Sequence, residues 1–480
     1  MIRLTQLIDG QAVAAASGRW LELHDPANAT VFGQCPAGDA TDVDAAVNAA
    51  RAAFPGWSAL PASERARWLQ RLADALEARI EEFAQAESRD AGKPITLARE
   101  IEIPRAVSNL RFFAAAAMQF ASESHQGEAG LNITLRQPLG VVACISPWNL
   151  PLYLFTWKIA PALAAGCCVV GKPSEVTPVT AWMLGEAARD IGFPPGVLNI
   201  VQGTGPGVGE PLVTHPDVAA VSFTGSTTVG RRIAAHCAPA LKKTSLELGG
   251  KNPTLVFADA PRAGLVDAVA RSAFLNSGQI CLCGSRVLVQ DAYYEEFRDA
   301  LVAKAQAMVV GDPLDAGTDL GPVVSRAHFD KILRCVQLAR DEGGSVLAGG
   351  DAVRVPGRCA DGWFVAPTVI EGLGPSCRTN TEEIFGPVVT LQRFRDDDEA
   401  LALANAGTYG LAASVWTSDL RRAHRLAERL QAGVVWINTW MNRDLRTPFC
   451  GAKQSGVGRE GGWEAMRFFT EAKNVTIALG

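Results

Sequence analysis

Two Ala-, Glu- and Arg-rich stretches, residues 41–54 and 62–91, carry apolar side chains at helical spacing, and the spacing predicts two amphipathic helices. A third helix is predicted over 103–120. Alternation through Asn132-Ile133-Thr134-Leu135-Arg136 predicts a strand over 132–138, and the apolar run at 139–145 predicts a buried strand. From there helices and strands alternate. Helix 151–165 is followed by strand 168–171, helix 177–190, strands 197–201 and 219–223, and helix 228–236. After Glu247 the pattern restarts with strand 253–257, helix 263–276, strand 286–290 and helix 292–307. Strand 388–394, helix 398–404 and strands 412–416 and 433–438 come later, and 474–479 alternates as a final strand. Strands alternating with helices predict an α/β protein with two doubly wound, mostly parallel sheets. Cys281 falls at a helix end of the second unit, facing the first.

Composition narrows the function. The chain has 480 residues, enough for two or three domains, with 48% hydrophobic and 20% charged residues. A net charge of −5 without a long basic run points to neither nucleic acid nor an anionic membrane as partner. The most apolar stretches, 141–145 and 159–170, fall short of the ~20 residues of a membrane span. The N-terminus turns polar too soon for a signal peptide, so a cytoplasmic location is expected. Eleven cysteines are scattered without C-x-x-C spacing, and six histidines without H-x-x-x-H. Reduced thiols and no metal site are expected.

Three chemical groups then stand out. Cys281 lies in Phe274-Leu-Asn-Ser-Gly-Gln-Ile-Cys281-Leu-Cys283-Gly-Ser-Arg286, Glu247 in Leu246-Glu247-Leu-Gly-Gly-Lys251, and Asn149 in Ser146-Pro-Trp-Asn149. A thiolate can attack an aldehyde carbonyl, a side-chain amide can stabilise the oxyanion, and a carboxylate can activate water against the resulting thioester. Cys283 is an alternative nucleophile, and Asn149 could instead cap the helix that begins near Pro151. Phe223-Thr-Gly-Ser226 sits at a strand-to-helix turn suited to a pyrophosphate. Gly203–Gly209 lacks the Lys-Ser/Thr of a phosphate loop and reads as a turn before a helix.

With Gly171-Lys-Pro-Ser-Glu175, Glu382-Glu-Ile-Phe-Gly-Pro387 and Ser455-Gly-Val-Gly-Arg-Glu460, these blocks resemble the aldehyde dehydrogenase superfamily, in order, from about Asp9 to the C-terminus. The resemblance implies an aldehyde-dehydrogenase-like α/β fold with two doubly wound domains and a small β oligomerisation arm. It places an NAD-binding domain at 1–118 and 139–247, a catalytic domain at 248–450, and the arm at 119–138 and 465–480. It implies a homodimer or homotetramer. Cys281, Glu247 and Asn149 take the catalytic roles, with Lys158 as a charge near the thiol. Ile145, Trp148, Lys172, Ser174, Glu175, Gly225, Ser226, Glu383 and Phe385 fall at its cofactor positions. Glu175 can accept both ribose hydroxyls and would repel a 2′-phosphate, which favours NAD over NADP.

Two stretches, Ile103-Pro-Arg105 onward and Asn438-Thr-Trp-Met-Asn-Arg443 through Phe449, resemble the branch that oxidises 2-aminomuconate or 2-hydroxymuconate 6-semialdehyde in aromatic catabolism. Arg105 and Arg443 are expected to clamp the distal carboxylate, with Trp157 and Phe449 lining the substrate. Alternatives are succinate semialdehyde, betaine aldehyde or an aliphatic aldehyde with NAD(P), and, beyond these, a non-catalytic binding or structural protein. Cys167 and Cys450 depart from the family's Asn and Gly. Neither is expected to touch the three chemical groups, although Cys450 falls on the substrate-side loop.

Overall fold

A computed structural model describes residues 1–479. Two twisted sheets carry most of the fold. In the first, five parallel strands run in the order Lys243–Glu247, Val218–Thr224, Val141–Ile145, Cys168–Lys172 and Leu198–Ile200. The hairpin Gln6–Ile8/Gln11–Val13 extends one edge and Gly456–Val457 the other, both antiparallel. The chain builds outward from Val141–Ile145 in one direction, then returns to its other side. The crevice at such a switch point, beyond the carboxyl ends of the strands, is where open α/β sheets bind ligands. Four strands end there: Ile145 leads to Asn149, Lys172 leads to Glu175, Thr224 leads to Ser226, and the fourth ends at Glu247 itself.

The second sheet runs Ser345–Ala348, Thr368–Glu371, Val388–Phe394, Arg286–Gln290, Pro253–Val256, Ala412–Trp416 and Val434–Ile437. All neighbours are parallel except the first pair. This sheet offers its amino ends: Cys281 precedes Arg286–Gln290, and Glu383 and Phe385 precede Val388–Phe394. The carboxyl ends of one sheet therefore meet loops entering the other. A third sheet pairs Thr470–Ile477, Gly130–Pro138 and Ser124–Gly127.

Helix Pro151–Ala165 is buried along its whole length, as its nearly unbroken apolar sequence requires. It packs on Ile103–Gln119, which in turn packs on Ala62–Glu77. The helix read over 62–91 is two, Ala62–Glu77 and Ile80–Ala91, broken at Ala78-Arg79. The helix read over 41–54 continues through Pro55 to Ala59, where buried Trp57 anchors its last turn by donating to the Leu163 carbonyl. The helix read over 263–276 stops at Phe274, and Asn276 and Ser277 turn left-handed, each with φ 54°. Tertiary bonds hold this unfavourable backbone: Asn276 Nδ2 donates to the Asn149 carbonyl and Ser277 Oγ to the Gly321 carbonyl. Among the described residues, no helix is long and apolar enough to cross a membrane, and all eleven cysteines are free thiols.

Candidate active site

Cys281, partly exposed, opens onto a cavity of about 240 Å³ that Asn149, Gly225, Ser226, Leu248, Glu383 and Phe385 also line. Cys283 is buried and does not border this cavity. Burial pushes the Cys281 thiol upward, and the Glu247 and Glu383 carboxyls add to that shift. Arg443 is the cation that pulls it back down. Lys158, expected beside the thiol, is instead locked to Glu460 at 2.7 Å and to Ser222 at 3.2 Å. Its charge acts on Glu247 rather than on Cys281.

Asn149 does not cap the helix. Leu150 holds the N-cap position, without a side-chain cap bond. The Asn149 amide donates to the Gln279 carbonyl at 2.8 Å, two residues before Cys281. An amide carries two N–H donors, so this bond orients the group and leaves one for a ligand. Glu247 is buried, and its Oε1 has no partner. Burial, helped by Glu460, pushes its carboxyl up to about 8, while Cys450, Lys158 and Arg443 pull the other way. Cys450, expected to stay clear of the chemical groups, lies with its Sγ 3.5 Å from the Leu246 carbonyl and its thiol beside the Glu247 carboxyl. The cause is strand pairing. Glu247 pairs with Gly456, and the Cys450 sulfur fills the space over that glycine. Cys167 sits away from this centre, its thiol donating to the Phe469 carbonyl at 3.2 Å.

The two arginines read from sequence converge. The Arg443 guanidinium carbon stacks 3.8 Å from the Phe449 ring centre and 5.2 Å from that of Trp157, and its Nη1 donates to the Tyr153 hydroxyl at 3.0 Å. The Arg105 guanidinium carbon lies 5.4 Å from the Tyr153 ring and 5.9 Å from the Trp157 ring. Arg105 Nε and Nη2 and Trp157 Nε1 are buried donors without partners. Unpaired buried donors are costly, and this set suits an anionic acceptor. Tyr153 was not singled out from sequence; it lies one helical turn before Trp157 on the same buried helix, which is the signal that could have found it.

A second cavity of about 350 Å³ adjoins the first through Pro147, Trp148, Thr224, Gly225 and Ser226. Ile145, Lys172, Ser174 and Glu175 line it, and Gly205 and Gly209 bring in the glycine-rich turn. Ser226 caps helix Thr227–Cys237, its Oγ accepting from the Val229 N–H, so the helix start faces the cleft. Lys172 Nζ lies 3.3 Å from Glu175 and donates to the Pro173 carbonyl at 2.9 Å. At the other end, Glu383 Oε1 accepts from the Gly250 N–H at 2.9 Å, and a Cβ on Gly249 would collide with that carboxyl. Phe385, at φ 63°, sets its ring edge-on to Trp148 at 5.3 Å. A cleft with an open helix start, a carboxylate at one end and a glycine-cradled carboxylate at the other fits a dinucleotide. Sequence reading missed His328 and Lys331 on this wall. They lie on helix Arg326–Asp341, which the Ser325 cap and the spacing of Phe329, Ile332, Val336 and Ala339 signal. Burial pushes His328 down to about 4, so its ring is neutral. Also missed were Glu210, Arg232 and His236 at the far end, where Glu210 pairs with Arg232 and lies 3.4 Å from His236 Nε2. Among the described residues, no group of three or more His, Cys, Asp or Glu side chains is placed to hold a metal ion.

Residues 13–475 match the aldehyde dehydrogenase family. The chain is 48% identical over 481 residues to the 2-aminomuconic semialdehyde dehydrogenase of Bos taurus, covering 99% of this chain and 98% of that one. It is 45% identical over 486 residues to the 2-hydroxymuconic semialdehyde dehydrogenase of Pseudomonas sp. (strain CF600), covering all of both. The NAD⁺ complex of an aldehyde dehydrogenase from Bacillus cereus superposes with a TM-score of 0.97 at 38% identity, covering 100% of this chain and 97% of that one. A family match over residues 13–475, full-length relatives near half identity and the shared α/β fold agree, and the chain belongs to the aldehyde dehydrogenase family.

Proposed function

We propose that the enzyme oxidises a carboxylated, unsaturated semialdehyde, 2-aminomuconate or 2-hydroxymuconate 6-semialdehyde, to the dicarboxylic acid with NAD, in the breakdown of aromatic compounds. The observation that carries this reading is the cluster of Arg105 and Arg443 around Trp157, with unpaired buried donors on Arg105 and Trp157 and the Arg443 charge reaching Cys281. Two guanidiniums over an aromatic wall suit a planar conjugated chain that ends in a carboxylate. They disfavour the cationic betaine aldehyde. The relatives named for both muconic substrates support the same class.

In this reading the Cys281 thiolate attacks the aldehyde carbon, and the carbonyl oxygen becomes an oxyanion held by the free Asn149 N–H and the Cys281 backbone N–H. When bound, NAD would supply the two-electron acceptor for the aldehyde hydrogen, and the Cys281 sulfur keeps the acyl group as a thioester. Glu247 then takes a proton from water as its oxygen attacks the thioester carbon. The carbon–sulfur bond breaks, releasing the acid and the thiolate. Lys172, Ser174 and Glu175 would hold the adenosine end, Gly225 and Ser226 the pyrophosphate, and Glu383 and Phe385 the nicotinamide side, with Ile145 and Trp148 between. The Glu175 carboxylate favours NAD over NADP, since it opposes a 2′-phosphate.

Residues 1–118 with 139–247 form the cofactor domain on this account, and 248–450 the catalytic domain. The third sheet, with exposed Leu135 and Ile477, serves as the arm of a cytoplasmic homodimer or homotetramer. The test is to compare kcat/KM across muconic semialdehydes, succinate semialdehyde, betaine aldehyde and a neutral aldehyde of similar length. The muconic substrates should lead. Equal rates on the neutral aldehyde would remove the role given to the arginines.

A further inference from the structure

Lys93 is fully buried behind the catalytic loop. Its ammonium reaches Glu87 Oε1 at 3.3 Å, makes a short contact with Glu102 Oε2, and donates to the Asn149 carbonyl at 3.1 Å. All three ammonium donors are thereby committed. Glu87 is anchored in turn, since its Oε2 accepts from the Thr180 hydroxyl at 2.6 Å. Burial pushes the Glu102 carboxyl up against the pull of Lys93, with Glu87 adding to the rise.

Each partner leads to a different part of the site. The Asn149 carbonyl also accepts from Asn276 Nδ2 at 3.1 Å. The Asn276 carbonyl accepts from Gln279 Nε2, and the Gln279 carbonyl accepts from Asn149 Nδ2. A closed ring of bonds thus joins Asn149 to the loop that presents Cys281, and Lys93 enters that ring from behind. Glu102 ends the wide helical turn Ala98–Glu102, and Arg105 follows in the first turn of Ile103–Gln119. One buried cation therefore links the oxyanion amide, the nucleophile loop and the helix start that carries a substrate arginine.

We propose that Lys93 is a positioning residue for the oxyanion amide: braced by Glu87 and Glu102, it fixes the Asn149 backbone so that the free amide N–H meets the developing oxyanion. The proposal rests on the oxyanion role given above to Asn149. A side chain that merely fills the core would affect folding and the amount of active enzyme. A positioning cation sets the rate constant of the acylation step in those molecules that are active, because a small misplacement of a preorganised donor slows the chemistry steeply.

The experiment is a rapid-mixing measurement of the NADH burst with a neutral aldehyde, which keeps the result independent of the arginine pocket. Rate constants are taken per active site from the burst amplitude, for the parent, Lys93→Met, Glu102→Gln, Asn149→Ala and Lys93→Met/Asn149→Ala. NAD affinity is followed by fluorescence. Lys93→Met should slow the burst roughly ten- to a hundred-fold, the usual effect of losing a charged hydrogen-bond donor. Glu102→Gln, which keeps the shape of the brace, should slow it less, with NAD affinity held within about twofold of the parent. The double variant should be no slower than Asn149→Ala alone, since both changes act through one group. If Asn149→Ala leaves the burst unchanged, the oxyanion assignment itself fails. If Asn149→Ala slows the burst while Glu102→Gln and any folded Lys93→Met do not, or if the double variant multiplies the two defects, Lys93 does not act through Asn149. Should Lys93→Met not fold, Glu102→Gln alone decides: an unchanged burst rate overturns the proposal.

Discussion

Glu247 carries a prediction that follows directly from where it sits. Its carboxyl is buried with an unpartnered oxygen, and burial together with Glu460 raises it to about 8. A carboxyl is a base only when ionised. With a pKa of about 8, roughly a tenth of it is ionised at pH 7 and roughly nine-tenths at pH 9. Hydrolysis of the acyl-enzyme should therefore rise roughly tenfold between pH 7 and pH 9 and then level off. The sign is fixed by the direction of the shift: a carboxyl at its ordinary value near 4.3 would give a flat profile over the same range. The assay is a single turnover in which acyl-enzyme formed with NAD is chased for release of the acid across pH 6.5–10. Glu247→Gln should keep the NADH burst and lose the rise, leaving slow turnover. Two results would refute the reasoning. A rate that climbs tenfold per pH unit without a plateau would mean that hydroxide attacks unaided. A Glu247→Gln profile matching the parent would place the base elsewhere.

Two other perturbations read separate parts of the site. Arg443→Ala removes the cation that stacks on Phe449 and donates to Tyr153. It should raise KM for a muconic semialdehyde roughly ten- to a hundred-fold while changing KM for a neutral aldehyde little; equal effects on both would make Arg443 a support of the fold. Glu175→Gln removes the carboxylate beside Lys172 and should narrow the preference for NAD over NADP in kcat/KM by about tenfold or more; an unchanged ratio would show that another group reads the 2′ position.

The residues at the ends of parallel strands were legible in the sequence because strand, turn and following helix are local. An apolar run ending in Ser146-Pro-Trp-Asn149, or in Phe223-Thr-Gly-Ser226, declares both the element and the position of its polar tip. Strand Lys243–Glu247 escapes the sequence reading, for Lys243, Thr244 and Ser245 leave little apolar signal, although Glu247 itself is recognised. Contacts that span the chain stayed hidden. Nothing in the sequence pairs Lys158 with Glu460, 302 residues away, so the sequence alone points its charge at the thiol rather than at the neighbourhood of Glu247. Cys450 reaches Glu247 only because Gly456 pairs with it across a sheet edge. The left-handed turn at Asn276 and Ser277 is likewise set by distant partners, Asn149 and Gly321, and helical periodicity alone carries the predicted helix into its first residue.

The central claim is that aldehyde oxidation passes through a thioester on Cys281 that Glu247 hydrolyses. Glu247→Gln should accumulate that intermediate, so the variant can be mixed with NAD and a muconic semialdehyde, quenched in acid, digested and weighed by mass spectrometry. The account predicts the acyl mass on Cys281, with Cys283 in the same stretch unmodified, and loss of the adduct in Glu247→Gln/Cys281→Ala. An adduct on Cys283, or burst NADH without any acylated cysteine, would contradict it.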